Sequence, residues 1–310
     1  VLSFLPGRSF ETPAIVASFA VIICIFGLLG NAVVSWILLF KIKRNKYTVY
    51  ILNLATADFI YLVFVAIVLI LMVHQMLSKT YQTPTTLLAL EIIYDLGYTA
   101  GMFFLTAISV ERCLSVLFPI WYKCYRPKHL STITCGLIWL VGIVLSLVDN
   151  LVCNAASFSS GTKDCTIIQV FSAILTFAIV LPLMLLSSFT LIYVIKTTSK
   201  KSRPPKIYLA IIITVLVFLI SVIPIRFLWI NLYFKVIDAN SYYVALFFAS
   251  TYCTVFNSSA NPFIYFLVGR QRTKKFWAWK MVHRRLKGLP LIEQYEQIPL
   301  DFPRRKSVYL

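Results

Sequence analysis

Charge is scarce in this chain and long apolar runs are not. Only 13% of its 310 residues are Asp, Glu, Lys or Arg, whereas 60% are hydrophobic, and the mean hydropathy is +0.85. That balance excludes an ordinary soluble globular domain and asks for lipid. Glycine is sparse at 10 residues, and no pair of glycine-interrupted apolar segments occurs of the kind that lines transport paths. Lysine is missing from the last apolar run, which excludes a retinal Schiff base there. No nucleophile elbow, metalloprotease helix or phosphate loop is present, so bond-making catalysis is not expected. The seven cysteines lack a CxxC or His spacing, so no metal and no cofactor are expected.

Seven apolar stretches are long enough to cross a bilayer, which takes about 20 helical residues. They run from Pro13 to Phe40, Tyr47 to Val73, Thr85 to Val110, Leu130 to Val148, Ile167 to Ile195, Ile207 to Phe234 and Ala239 to Val268. Within them the only charges are Asp58, Glu91, Asp95 and Arg226. Backbone polar groups in lipid must be satisfied within the chain, and runs of this length and polarity fit helices. The expectation is an all-α membrane protein, a seven-transmembrane helix bundle. Residues 1–12 read as an extracellular N-terminus, expected to be incomplete because residue 1 is Val; 13–268 read as the bundle, and 269–310 as a cytoplasmic tail.

The net charge of +18 raises the question of nucleic acid, and its placement answers it. All but Arg8, Lys79, Lys163, Arg226 and Lys235 of the 29 basic residues fall in the joints after runs one, three, five and seven or in the tail. The positive-inside rule then puts the N-terminus outside and the C-terminus in the cytoplasm at the plasma membrane, and leaves no separate basic face for nucleic acid. In the tail, Phe276, Trp279 or Lys280, His283 and Leu286 recur at helical spacing among basic residues. This reads as a short amphipathic helix on anionic lipid headgroups, with a solvated basic tail as the alternative.

Motifs fall in order on successive runs: Gly30-Asn31, LNLATAD ending at Asp58, Glu111-Arg112-Cys113, Trp139, Pro182, Pro224, and NSSANPFIY with Asn261, Pro262 and Tyr265. The ordered set resembles the rhodopsin-like G-protein-coupled receptors. ERCLSVLFPIWYKCYRPKHLS and NSSANPFIYFLVG are similar to the Mas-related receptors, and IPIRFLW leans toward the Mas proto-oncogene branch. The resemblance implies a receptor for an extracellular peptide or small charged agonist. It also implies a heterotrimeric G protein of the Gq or Gi type as partner, with arrestin recruitment expected to be weak because few Ser or Thr residues lie in the tail.

The same resemblance assigns roles. Glu111 would hold Arg112 at rest, Pro119 would open the loop that meets the G protein, and Pro224, Asn261, Pro262 and Tyr265 would belong to the activation switch. An acid that clamps this arginine from the sixth run in many relatives is missing, since Lys196 to Tyr208 contains none, so basal signalling is expected. Ser221-Val222-Ile223-Pro224 replaces the family's aromatic toggle, while Pro224 keeps the kink. Asn31, Asp58 and Asn257 would form a polar network with Asn261 and Tyr265. Gly101 stands where the family's sodium site takes a serine, which puts sodium in doubt and leaves a protonated, hydrogen-bonded Asp58 as the alternative.

At the outer end the usual bridge to the third helix is impossible, since no cysteine lies between Cys24 and Cys113. The Mas-related pattern implies instead a disulfide from Cys153 to Cys165. It singles out Asp149 as an acid for cationic ligands and places Gln169 where a second acid would stand. The aminergic aspartate is displaced: Tyr94 occupies its position, with Asp95 beside it and Glu91 one turn away. Arg226 needs a partner at its depth. The expected one is Asp95 or Glu91 across the bundle, with a ligand carboxylate or other anion as the alternative. Two further readings stay open: a constitutive or scaffolding receptor acting through partner receptors, and, less favoured, a transporter or channel.

Overall fold

The computed structural model describes residues 11–41, 45–78, 84–153, 155–198, 206–235 and 245–265. Among them no strand occurs, and the chain runs through helices α1 (Glu11–Phe40), α2 (Thr48–Ser78), α3 (Pro84–Leu117), α4 (Leu130–Val152) and the short α5 (Ala155–Ser160). Next come α6 (Lys163–Ile174), α7 (Leu181–Thr198), α8 (Lys206–Ser221), α9 (Ile223–Tyr233) and α10 over 245–265. Six stretches are long and apolar enough to span a membrane; α6 with α7 makes the fifth and α8 with α9 the sixth, and α10 completes a seven-helix bundle. The expected amphipathic tail helix and residues 1–10 lie outside the described residues.

The faces divide as a bilayer requires. Phe19, Phe26, Leu29 and Trp36 of α1, and Leu137, Leu140 and Val144 of α4, are exposed apolar side chains that water would not tolerate in such numbers. Facing inward are two buried clusters. Leu54, Phe104, Leu105, Ile108, Val215 and Phe218 join α2, α3 and α8, while Ala17, Ala20, Cys24, Leu62 and Leu69 join α1 to α2. Without a hydrophobic drive between helices in lipid, small residues that admit close backbone approach carry much of the packing. Gly97 is the tightest such point against backbone: a Cβ there would stand 2.6 Å from the Tyr61 nitrogen. Trp139 of α4 donates its indole N–H to Asn53 Oδ1 of α2 at 2.9 Å and sets its ring edge-on to Phe104.

Helices run past the apolar stretches that announce them. α3 continues to Leu117, so Glu111 and Arg112 lie inside a helix rather than at its end, and α4 continues through Asp149 and Asn150. Charged residues at a membrane edge need no break in the backbone ladder. Pro224 interrupts the sixth span as expected, although the break falls at Val222, before the proline. Val222 still donates to the Phe218 carbonyl and Arg226 to that of Val222, so the missing bond is the one proline cannot donate. A second irregularity was not foreseen: Leu175–Val180 is π-helical. Pro182 crowds the carbonyl four residues back, at Ala178, and a widened turn relieves that clash.

Candidate functional site

Functional residues gather at two levels, one near the disulfide and one near the link between α3 and α4. At the first, Cys153 at the end of α4 is bonded to Cys165 in the first turn of α6, with Cα atoms 4.8 Å apart. Thr162 caps α6 by accepting the Cys165 N–H. Asp149 lies four residues before one cysteine and Gln169 four after the other, so each sits one turn from the bridge on the same helix face. Joining the helices brings them together: Gln169 Nε2 donates to Asp149 Oδ1 at 3.3 Å. Replacing the pair, as Cys153→Ser with Cys165→Ser, should lower the stability of the purified receptor by about 2–3 kcal/mol for so short a loop. An unchanged melting temperature would show that the bridge contributes nothing.

Arg226 departs from expectation. Its direct partner is neither Asp95 nor Glu91 but Tyr98: Arg226 Nε donates to the Tyr98 hydroxyl at 3.0 Å, and the guanidinium lies 4.7 Å from the ring centroid. Among the described residues it makes no ion pair within 4 Å. Asp95 and Tyr98 share a face of α3 at i and i+3, and the longer tyrosine reaches the arginine first. Asp95 and Asp149 remain within electrostatic range of Arg226. Asn150 Nδ2 donates to Asp95 Oδ2 at 3.4 Å, while Tyr94 sets its ring edge-on to Tyr61. Glu91 is half-buried one turn before Asp95, toward the start of α3.

The middle of the bundle holds the expected polar network in part. Asn261 Nδ2 donates to Asp58 Oδ2 at 2.8 Å, and Asn31 Nδ2 to the carbonyls of Gly27 and Ser258 at 3.0 and 3.1 Å. Asn257 is buried with its Oδ1 unpartnered. A Cβ on Gly101 would stand 3.6 Å from Asp58 Oδ1, so a serine hydroxyl at this position would reach the carboxylate and glycine offers a cation nothing there. Tyr265 of α10 lies near Thr214 of α8, and Pro262 is buried against α1 beside Gly30.

Near the α3–α4 link the structure revises the reading of Glu111. Its carboxylate forms an ion pair with Arg126 and accepts the Tyr122 hydroxyl at 2.7 Å; it makes none with Arg112. Arg112 instead lies over the Tyr47 ring, 3.4 Å from its centroid, and Tyr47 stacks on Tyr122. The physical reason is competition: neighbours at i and i+1 leave the helix about 100° apart and meet only if both side chains bend toward one another, and Arg126 and Tyr122 already occupy the carboxylate. Burial first, and then Tyr47 and the Glu111 carboxylate, push the Tyr122 hydroxyl well above the ordinary phenol range, which keeps it a donor. Pro119 is exposed between α3 and the π-helical turn Trp121–Tyr125.

Sequence reading missed Tyr47, Tyr122, Arg126 and Ser131 as members of this cluster. Tyr122 and Arg126 sit in the same motif as Glu111, yet their return onto α3 depends on a turn that periodicity does not show.

The matching family model is that of the 7 transmembrane receptor (rhodopsin family), over residues 30–265. Proto-oncogene Mas of Rattus norvegicus is 38% identical over 255 residues, covering 81% of this chain and 76% of that one. Mas-related G-protein coupled receptor member D of Homo sapiens is 36% identical over 278 residues, 88% of this chain and 85% of its own. Mas-related G-protein coupled receptor member A of Rattus norvegicus is 35% identical over 282 residues, 91% of each. Together with seven apolar helices, a bridge from the fourth to the fifth span, and Asp58, Arg112 and Asn261 on the second, third and seventh, these likenesses decide the matter: the chain belongs to the rhodopsin-like seven-transmembrane receptors, among the Mas-related G-protein-coupled receptors.

Proposed function

We propose that this receptor takes an extracellular peptide or small charged ligand at the level of Arg226, Asp95 and Asp149, and answers by activating heterotrimeric G proteins of the Gq or Gi type. The observation that carries the reading is the placement of Arg226. It lies two residues past Pro224 and ties the sixth span to Tyr98 of the third, with Asp95 and Asp149 close by. A ligand that offers an anionic group to Arg226 and a cationic group to the acids would exchange that tie for its own contacts. Tyr265, within electrostatic range of both Asp58 and Arg112, would link the Asp58–Asn261 pair to that arginine. In this orientation the disulfide end is extracellular and the α3–α4 link is cytoplasmic.

The absence of any acid from Lys196 to Tyr208 favours basal activity, and with it the second reading of a receptor that signals or scaffolds without its own ligand. Nucleotide exchange on purified Gq and Gi proteins separates the two, with acidic, basic and zwitterionic peptides as probes. Exchange above a receptor-free control is expected without peptide, rising further with a zwitterionic one, and Arg112→Ala should abolish both. No exchange on any G protein in either condition would defeat the coupling assignment. Basal exchange that no peptide alters would favour the constitutive receptor.

A further inference from the structure

The sequence joins Glu111 to Arg112, and the fold separates them. What holds Glu111 is Arg126, a residue of the link whose side chain is fully buried against α3. Its position is over-determined. Pro127 confines the preceding residue to extended backbone, and Arg126 sits there at φ −64 and ψ 125. The Arg126 N–H donates to the Trp121 carbonyl at 2.9 Å, which closes the π-helical turn. Arg126 Nη2 also donates to Ser131 Oγ at 2.7 Å, in the first turn of α4, and that hydroxyl donates to the Lys46 carbonyl at 3.1 Å. Lys46 in turn donates to the Tyr122 carbonyl at 3.0 Å.

Lys46 and Arg126 both lie over the Tyr122 ring, and the acid is committed to Arg126 and the Tyr122 hydroxyl. With Arg126 and Tyr122 on its carboxylate, Glu111 has no reason to turn toward its neighbour. Arg112 keeps the face of Tyr47 as its described partner, and its buried Nε makes no hydrogen bond. A ring face is a weaker hold on a guanidinium than a carboxylate at contact distance.

We infer that Arg126 is the positioning residue of the activation switch: by binding Glu111 it withdraws the acid from Arg112 and so sets how readily Arg112 leaves its resting contacts. This rests on the proposed coupling to G proteins and adds to it a residue to which the resemblance assigned no role. Removing the Arg126 charge frees Glu111 to turn to Arg112, its neighbour in sequence and within its electrostatic range, and Arg112 becomes held more tightly. The effect passes entirely through the charge on residue 111.

The test is ligand-independent nucleotide exchange by the full chain, normalised to receptor at the cell surface, for Arg126→Gln and Arg126→Ala in the native and in the Glu111→Gln background. In the native background exchange should fall by about fivefold or more. In the Glu111→Gln background neither substitution should shift it further, and Arg126→Lys should recover most of the native value. An equal fall in both backgrounds, or none in the native one, would overturn the inference, because a merely structural arginine acts regardless of charge at 111. Should Arg126→Gln fail to reach the surface, its recovery by Glu111→Gln supports the coupling and continued failure refutes it. No exchange from the native receptor itself would defeat the proposed coupling first, and is distinguishable by that control.

Discussion

Receptor carrying Gly97→Val is expected to be lost from the cell surface. A Cβ at Gly97 would approach the Tyr61 nitrogen to 2.6 Å and the Ala57 carbonyl oxygen and Tyr61 Cα to 2.9 Å, all of them backbone atoms of α2. A flexible side chain could swing aside; a helix backbone cannot. The two helices would have to part along their most extensive interface, which also holds Asp58 in place. Overpacking costs about 1–3 kcal/mol where side chains can adjust, and more where they cannot. Against a stability of about 5–15 kcal/mol, the larger valine should remove most folded receptor and Gly97→Ala a part of it. Surface biotinylation is the measurement, with Gly136→Val as control, since nothing lies within 4 Å of a Cβ at Gly136. Equal surface levels for Gly97→Val and the native chain would show that α2 and α3 do not approach so closely.

Arg226→Glu should be the most damaging single charge change. It replaces the cation beside Asp95 and Asp149 with a third acid and breaks the bond to the Tyr98 hydroxyl. Breaking a fully buried charged pair costs about 3–5 kcal/mol; Arg226 is half-buried, which lowers that figure, and reversal adds repulsion to the loss. The melting temperature of detergent-purified receptor should fall further than it does without the disulfide. Asp95→Asn added to Arg226→Glu should recover part of the fall, because the repulsion is then relieved on one side. Arg226→Glu receptor that melts with the native protein would show that the arginine, for all its depth, is solvated rather than engaged by the acids.

Composition and motif order were enough to read the bundle and its family, because lipid imposes long apolar helices and the motifs sit one to a span. The disulfide was legible through the resemblance, and Asp58 with Asn261 likewise. Partners across helices were not. The pairing of Glu111 with Arg112 is what the resemblance implies; the partner that takes the carboxylate lies fifteen residues on, beyond a π-helical turn that no periodicity announces. Arg226 was matched to carboxylates by charge, but reach along α3 selected Tyr98. In both cases charge identified the group that needs a partner, and side-chain direction and reach selected one that charge had not named.

The interruption at Val222 has a mechanical consequence. α8 below it is 16 residues long, and at 1.5 Å per residue it forms a lever arm of about 24 Å. A tilt of about 10° at the fulcrum would carry the Lys206 end sideways by about 4 Å. Arg226 sits on the short side of that fulcrum, gripping Tyr98. A displacement there of a fraction of an ångström, the scale of one exchanged hydrogen bond, is multiplied severalfold at the far end, where α8 passes Arg112.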